Sequence, residues 1–142
     1  GWAPAATTLV LDAAKGGFPV WLASLADLSI LAQAMVALCA VTGHMIPVFY
    51  RFKGGKGVAT ALGAGLALAP LTTLLLCVIW AFVMWRWRIS ALASIVAIVT
   101  GPLLSAILEP DTLPLFGLLA LLIVVRHRNN LIRMAQGREP GF

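Results

Sequence analysis

Charged side chains are scarce in this sequence. Only 11% of the residues are charged, whereas 61% are hydrophobic and the mean hydropathy is +1.00. A soluble domain carries roughly 25% charged residues, so the composition excludes an ordinary water-soluble domain. The ten lysines and arginines are too few and too scattered for a nucleic-acid surface, and we expect no nucleic-acid partner.

Several patterns that carry chemistry are also missing. Cys39 and Cys77 fall inside apolar runs and are typical of small core residues rather than of a disulfide or a metal pair. The sequence shows no metal-ligand spacing, and no Cys or Ser stands beside a His as an activated nucleophile. We therefore expect neither a metal nor a cofactor.

What the sequence does contain is a series of long apolar runs. A membrane-crossing helix takes about 20 residues, and six runs are candidates, although the third is short and Pro70 separates it from the fourth. The sequence therefore predicts an all-α, polytopic integral membrane helix bundle with about six membrane segments, in a single membrane-embedded domain over residues 1–142. The six runs are Pro4–Ala23, Leu28–Val48, Gly57–Ala69, Leu71–Trp85, Ile89–Leu108 and Leu113–Arg126.

The loops between these runs differ in the sign of their charges. If all six runs cross and the loops alternate sides, one side receives only the acids Asp27, Glu109 and Asp111. Basic residues mark the cytoplasmic side of a membrane protein, so we expect the loop after the second run and the C-terminal tail to face the cytoplasm. The bases of that side are Arg51, Lys53, Lys56, Arg86, Arg88, Arg126, Arg128, Arg133 and Arg138.

Glycine and lysine are concentrated between Lys53 and Gly57, within the stretch GHMIPVFYRFKGGKGVAT from Gly43 to Thr60. Glycine lets backbone N–H groups approach a ligand closely, and such groups at a helix N-terminus beside a cation suit a phosphate. The stretch is not a nucleotide P-loop, because Tyr50 and Gly57 stand where that motif needs Gly and Ser or Thr. On spacing alone, a basic turn at the membrane face is an equal alternative.

Asp12 and Lys15 lie inside the first run, three residues apart and therefore on one helical face. Ionisable residues at membrane depth usually face the bundle or a polar cavity. A self-neutralising pair that fixes helix packing is favoured over a wall of a polar site, because each partner supplies the other's charge. His44, at the start of the glycine-rich stretch, is the third candidate for such a wall.

The tail from Arg126 to Arg133, RHRNNLIR, is the second informative stretch. If the sixth helix continues through it, His127, Asn130 and Arg133 share a face at three-residue steps. Their imidazole, amide and guanidinium groups could orient a phosphate and a reacting hydroxyl. When the tail is considered alone, a basic juxtamembrane helix that contacts anionic lipid headgroups is the favoured alternative.

Together the two stretches resemble the bacterial acyl-phosphate:glycerol-3-phosphate acyltransferases. GHMIPVFYRFKGGKGVAT is similar to the second signature motif of that family, with Ile46 where an aromatic residue is usual. The tail is similar to the third motif, Arg-His-x-x-Asn-x-x-Arg followed by Gly-x-Glu, with Leu131 in place of isoleucine. LVLDAAKG at Leu9–Gly16 resembles the intervening helix, so the resemblance spans essentially the whole chain.

The resemblance implies transfer of a fatty acyl group from acyl phosphate to the sn-1 hydroxyl of glycerol-3-phosphate, giving lysophosphatidic acid and phosphate in the first step of phospholipid synthesis. The implied partners are acyl phosphate, glycerol-3-phosphate and the lipids of a bacterial inner membrane. His127 and Asn130 would belong to the active site, which faces the cytoplasm, and Glu139 would be structural. The expected phosphate-binding residues are Lys53, Gly54, Gly55, Lys56, Gly57 and Arg133.

The absence of the usual catalytic patterns is consistent with acyl phosphate as the acyl donor. Acyltransferases that use acyl-CoA or acyl-carrier protein directly commonly have Asp five residues after a His, where this chain has Phe49 and Ile132. An acyl phosphate is already an activated mixed anhydride, so orientation and charge neutralisation of two phosphates could supply much of the rate. We hypothesise that the proton of the attacking hydroxyl passes to the substrate's own phosphate.

One part of the family pattern does not appear. The first motif, of the type Ser-Gly-Asn-Ile-Gly-Ala-Thr-Asn with a following arginine, should precede Trp2. We therefore expect an N-terminal portion, with one more membrane helix, upstream of Gly1. Two other classes of function stay open, a non-catalytic membrane subunit and a small anion transporter or channel. Transporters often show internal repeats, and no convincing repeat is found in this sequence.

Overall fold

The computed structural model describes residues 1–47 and 54–141, and no β-strand lies in either range. The helices of these ranges follow one another with short connections, and a 3₁₀ turn at Pro110–Thr112 precedes the sixth. They are α1 (Trp2–Leu25), α2 (Ile30–Met45), α3 (Val58–Leu68), α4 (Pro70–Trp87), α5 (Ser90–Leu108), α6 (Leu113–Arg126) and α7 (Arg128–Ala135).

Each of the six apolar runs overlaps one of the helices α1 to α6. The sixth run coincides with α6, Leu113–Arg126, and the other boundaries differ by a few residues, as helix ends commonly do. Val48, the predicted end of the second run, lies outside the described residues. The prediction of an all-α chain is confirmed for the described residues.

Length and composition qualify fewer helices as membrane crossings than the sequence predicted. Among the described residues, α4 and α5 are long and apolar enough, and α6 with α7 forms a third crossing if that bent pair is one span. The apolar helices α2 and α3 are shorter. Although α1 has 24 residues, Asp12 and Lys15 lower its hydropathy. Crossing by all six segments therefore stays a prediction.

Large apolar side chains cover the outer faces of the helices. Leu11, Trp85, Leu103 and Ile107 are each more than half exposed. Extensive apolar surface is unfavourable in water and marks an interaction site, whereas lipid hydrocarbon accommodates it. The outer surface is therefore the kind that faces lipid.

The chain divides into two compact units, Gly1–Pro70 (unit 1) and Leu71–Phe142 (unit 2), and each is described by itself. The single domain over residues 1–142 stays a prediction.

In unit 1, helices α1 and α3 pack backbone against backbone. A Cβ at Gly16 would meet the carbonyl group of Thr60, and a Cβ at Gly63 would meet the carbonyl group of Ala13. A Cβ at Gly17 would lie 2.9 Å from the Gly63 carbonyl oxygen. Small residues at a helix crossing permit this close approach, and it places the N-terminal half of α3 directly against α1.

Residues 54–57 form the glycine segment of unit 1, and the first of them lies against the end of α2. Gly54 lies against the carbonyl oxygens of His44 and Met45, the last residues of that helix. Gly57 then has a φ of 79° at the N-cap of α3, a left-handed conformation that favours glycine. The segment therefore joins the end of α2 to the start of α3.

In unit 2, helices α5 and α6 pack through larger side chains. Phe116 fills the space beside Gly101, where a Cβ would lie 3.0 Å from the Phe116 Cδ1 atom. The buried apolar residues of α6 are Leu115, Phe116, Leu119 and Ile123.

Glu109 caps a helix far from it in sequence. Its carboxylate accepts hydrogen bonds from the backbone N–H groups of Leu71, at 3.3 Å, and Thr72, at 2.8 Å. A carboxylate at a helix N-terminus satisfies donors that have no intrahelical partner and interacts favourably with the helix dipole. Glu109, which the sequence placed only in an acidic loop, therefore stabilises the start of α4.

The chain bends at His127. Helix α6 ends at Arg126, where the sixth run was predicted to end, and α7 leaves at an angle of 59° to it, so the sixth helix does not continue straight through the tail. The imidazole Nδ1 of His127 lies 2.8 Å from the Ile123 carbonyl oxygen. Because a carbonyl oxygen only accepts, Nδ1 carries the proton, and the ring is anchored to the last turn of α6.

Candidate functional site

An open pocket of about 350 Å³ lies in unit 1, and several of the predicted site residues border it. This volume is within the range of about 300–1,000 Å³ that small-molecule sites usually have. The pocket is lined by Lys15, Ala40, Gly43, His44, Pro47, Gly54 and Gly55.

Asp12 joins the two polar side chains of this pocket. Its Oδ1 atom lies 3.0 Å from Lys15 Nζ and 3.6 Å from His44 Nδ1. The Asp12 and His44 side chains are each 17% exposed, whereas that of Lys15 is 63% exposed. The pairing of Asp12 with Lys15 is therefore confirmed, and the same pair also stands at the edge of a pocket.

The imidazole of His44 abuts the glycine segment. A Cβ added to Gly55 would meet the His44 Nε2 atom, and a Cβ added to Gly54 would meet the His44 carbonyl oxygen. Asp12 on α1, His44 on α2 and the two glycines therefore follow one another in contact. Because no side chain at Gly54 or Gly55 could fit, glycine is required at this wall of the pocket.

Two further residues of the predicted phosphate loop, Lys56 and Gly57, are described but do not line this pocket. Lys56 is exposed and Gly57 is buried. Lys53 lies outside the described residues. Phosphate binding by these three residues stays a prediction.

In unit 2, one carboxylate holds two of the predicted tail residues together. Asn130 donates from Nδ2 to Glu139 Oε1 at 2.5 Å, and Arg133 donates from Nε to Glu139 Oε2 at 2.7 Å. The Glu139 side chain is only 6% exposed. These contacts support the structural role expected for Glu139, and they place Asn130 and Arg133 on one side of α7.

A Schellman motif brings Glu139 back to α7. The Arg138 N–H donates to the Arg133 carbonyl oxygen at 2.8 Å, and the Gly137 N–H donates to the Met134 carbonyl oxygen at 3.0 Å. Gly137 has a φ of 65°, as the residue after a helix commonly does in this motif. The glycine before Arg138 and Glu139 therefore reverses the chain.

His127 and Asn130 point into the protein. They are 1% and 4% exposed, whereas Arg128 and Arg133 are exposed. A helix that only contacts lipid headgroups accounts for exposed arginines but not for a buried imidazole and a buried amide. Contact with lipid headgroups, the alternative interpretation of the tail, therefore explains only its basic residues.

The sequence did not indicate the contact between Asp12 and His44. It paired Asp12 with Lys15 because these residues are three positions apart, but no spacing rule links α1 to the end of α2.

Among the described residues, no three His, Cys, Asp or Glu side chains are grouped as metal ligands.

Similar proteins were found by sequence. A family model described as glycerol-3-phosphate acyltransferase matches residues 1–137. The glycerol-3-phosphate acyltransferase of Hahella chejuensis is 51% identical over 136 residues, which cover 96% of this chain and 70% of that protein. The enzyme of the same name from Neisseria meningitidis serogroup C is 45% identical over 141 residues, covering 95% of this chain and 70% of that protein.

Similar proteins were also found by structure. The crystal structure of PlsY (YgiH), an integral membrane glycerol 3-phosphate acyltransferase in its glycerol 3-phosphate form, matches with a TM-score of 0.90 and 35% identity over 96% of this chain and 70% of that one. Its lysophosphatidic acid form matches equally well over 71% of that chain. These matches confirm the prediction of a helical integral membrane protein. Since the family model spans nearly the whole sequence, the chain belongs to the glycerol-3-phosphate acyltransferase family.

Proposed function

We propose that this protein transfers a fatty acyl group from an acyl phosphate to the sn-1 hydroxyl of glycerol-3-phosphate. Acyl transfer to glycerol-3-phosphate is the activity that its family and relatives are named for. The observation that carries the proposal is the match, with a TM-score of 0.90, to an acyltransferase crystallised in its glycerol 3-phosphate and lysophosphatidic acid forms.

The reaction needs one bond exchange. The sn-1 hydroxyl oxygen attacks the acyl carbonyl carbon and forms the ester, while the bond between that carbon and the phosphate oxygen breaks. The hydroxyl proton passes to a phosphate group of the substrates, and lysophosphatidic acid and inorganic phosphate leave. Because a mixed anhydride is already activated, the protein's contribution is to orient the two substrates and to neutralise their phosphates.

The predicted residues divide between these tasks. Lys53, Lys56 and the glycines from Gly54 to Gly57 bind substrate phosphate, with lysine supplying charge and glycine permitting close backbone approach. In unit 2, Arg133 supplies a further cation. His127 and Asn130 belong to the active site, where Glu139 holds the Asn130 amide in one orientation.

The same proposal places the protein in the bacterial inner membrane, with the glycine loop and the tail in the cytoplasm. The concentration of basic residues in alternate loops supports this orientation. Cysteine substitutions at Lys53 and Asp111 test it with a membrane-impermeant thiol reagent on intact cells. We expect labelling at position 111 only, and labelling at position 53 without permeabilisation would overturn the orientation.

Product analysis tests the activity. Purified protein in detergent is incubated with glycerol-3-phosphate and either an acyl phosphate or an acyl-CoA, and the products are identified by mass spectrometry. We expect lysophosphatidic acid with the acyl phosphate alone. Product from acyl-CoA alone would overturn the proposed donor. Flux of phosphate compounds across vesicles without any acylated product would indicate a transporter.

A further inference from the structure

The two ends of α4 carry charges of opposite sign. Glu109 caps its start, whereas Arg86 lies in its last turn and Arg88 directly follows it. This helix is long and apolar enough to cross a membrane by itself. Its 18 residues span about 27 Å, close to the hydrocarbon thickness of about 30 Å. The two arginines are therefore expected at one membrane surface, at the level of the lipid headgroups.

Arg86 is held against an aromatic ring. Its Cζ atom lies 5.2 Å from the centroid of the Trp87 ring, which is the distance of a cation–π contact. The ring covers one side of the guanidinium, and N–H donors remain on its other sides. Because Arg86 is exposed, these donors can reach a phosphate group, and the planar fork of arginine fits two phosphate oxygens at once.

Arg88 ends α4 in a conformation that is unusual for its residue type. Its φ of 59° lies in the left-handed region that favours glycine, and its N–H donates to the Met84 carbonyl oxygen at 2.9 Å. Like Arg86, it is exposed. Among the residues that the structure describes, no carboxylate forms an ion pair with either arginine. Two positive charges without an acidic partner therefore stand two residues apart at the end of α4.

An apolar stripe on α4 leads to these charges. Val78, Phe82 and Trp85 follow one another at steps of four and three residues, and each is more than half exposed. The Phe82 and Trp85 rings lie with their centroids 6.2 Å apart. Trp87 is 48% exposed, and tryptophan favours the level between the headgroups and the acyl chains. Apolar, aromatic and cationic groups therefore follow one another along the helix, as acyl chain, glycerol backbone and phosphate do along a phospholipid.

We propose that the end of α4 binds an anionic phospholipid of the surrounding bilayer. The two arginines contact its phosphate, the two tryptophans lie beside its glycerol backbone, and the apolar stripe lies along an acyl chain. Charge complementarity selects this occupant, because arginines without acidic partners attract a lipid of net negative charge. A zwitterionic lipid carries an ammonium group of its own, which offsets part of that attraction. No residue of this surface takes part in the proposed acyl transfer.

Stabilisation of the helix end is the other role that these arginines could have. A positive charge near a helix C-terminus interacts favourably with the helix dipole, and this contribution is present whether or not a lipid is bound. A lipid site makes the affinity depend on the headgroup, and a bound lipid raises the unfolding temperature of the protein. The two roles therefore differ in their dependence on the lipid.

Native mass spectrometry of the full chain in detergent measures this dependence, with phosphatidylglycerol as the anionic probe and phosphatidylcholine as the zwitterionic one. We expect the wild-type protein to bind phosphatidylglycerol more tightly. Arg86→Gln should raise the Kd for phosphatidylglycerol about fivefold and Arg86→Gln/Arg88→Gln about thirtyfold. Both variants should change the Kd for phosphatidylcholine less. Arg86→Lys/Arg88→Lys should retain part of the affinity, because it keeps the charges without the planar fork.

Arg128→Gln is the matched control. It removes an exposed arginine of the same unit that has no aromatic contact within the described part of the chain, and the Kd for phosphatidylglycerol should stay at the wild-type value. Thermal unfolding of each variant without lipid reports folding. If the double glutamine variant does not fold, Trp87→Leu keeps both charges and should raise the same Kd about threefold, because Arg86 loses its ring.

Three results would count against the proposal. Equal affinities of the wild-type protein for the two lipids would remove the selection by charge. An equal loss of affinity in Arg128→Gln and Arg86→Gln would mean that any surface arginine serves, and that α4 has no site. Displacement of phosphatidylglycerol by glycerol-3-phosphate or inorganic phosphate would place the lipid at a substrate site instead. None of these results depends on whether the protein catalyses acyl transfer.

Discussion

Helices α1 and α3 of unit 1 meet at Gly16 and Gly63, where the backbone of one helix lies against the other. Helices α5 and α6 of unit 2 meet through Phe116 and its apolar neighbours. A backbone contact has no rotamer with which to adjust, whereas a side-chain contact can repack. The spacing of helices is therefore set more rigidly in unit 1, the unit that contains the pocket.

The polar clusters of the two units differ in how far their side chains are exposed. In unit 1, Lys15 is paired with Asp12 and yet largely exposed at a pocket. In unit 2, the buried Asn130 amide is hydrogen-bonded to a nearly buried Glu139 carboxylate. The first arrangement leaves donors that can reach a ligand, and the second holds a local structure together.

The largest expected effect is on the backbone contact of unit 1. Gly63→Ala should lower the free energy of unfolding by about 3 kcal/mol, the upper part of the usual range for overpacking, because the new Cβ meets the Ala13 carbonyl group. Gly117→Ala on α6 is the matched control, since a Cβ there meets nothing within 4 Å. Thermal unfolding in detergent measures both, and equal losses would contradict the rigid spacing of unit 1.

The next effect concerns the glycine loop. Lys56→Ala should lower kcat/KM for glycerol-3-phosphate by about ten- to a hundredfold, because a charged hydrogen bond is worth roughly 1.5–3 kcal/mol. Lys53→Ala should lose less, and Lys56→Arg should recover part of the rate. Gly55→Ala should raise KM, because its Cβ meets the His44 ring. A wild-type kcat/KM in folded Lys56→Ala protein would remove the lysine from the phosphate site.

The third largest expected effect is on the Glu139 carboxylate of unit 2. Glu139→Ala should destabilise the protein by about 2 kcal/mol, because the buried Asn130 amide loses its acceptor. Glu139→Gln should lose less, since its remaining carbonyl oxygen can still accept one hydrogen bond. Asp111→Asn, at an exposed acid of the same unit, serves as the control. If Glu139→Ala unfolds at the wild-type temperature, the cluster does not hold the tail.

The smallest effects compare one helix cap from each unit. Glu109→Ala removes the carboxylate that accepts from two N–H groups of α4 and should destabilise by about 1 kcal/mol. Ser29→Ala removes the Oγ that accepts from the Ala32 N–H at 3.3 Å and should destabilise by about 0.5 kcal/mol. Thermal unfolding of both variants shows which cap contributes more stability. A larger loss of stability in Ser29→Ala than in Glu109→Ala would contradict the prediction.

The positions of α1 to α6 could be predicted because they depend on local signals. Apolar runs of sufficient length form helices, and Pro70 and the glycines before Val58 mark where two of them begin. The bend at His127 could not be predicted in this way. No proline or glycine lies between Arg126 and Arg133, so local signals favoured a continuous helix.

The same distinction, between what local signals predict and what they do not, applies to the candidate site. The sequence alone determined the pairing of Asp12 with Lys15, because residues three apart on a helix are neighbours whatever surrounds them. The turn at Gly137, by contrast, was not predicted, although glycine adopts the positive φ found there without strain. Family membership too could be inferred from the motifs.

Three contacts follow from the folded structure and from no local pattern: Asp12 also contacts His44, Gly55 lies against the His44 ring, and Glu109 caps a helix 38 residues away. These contacts join separate helices, and they depend on how closely and at what angle the helices pack. Glycine at Gly16 and Gly63 permits a close approach, but it does not specify which helix approaches or which polar side chains then meet. That choice is made by the packing of the whole unit, because each contact between helices forms only when the others do.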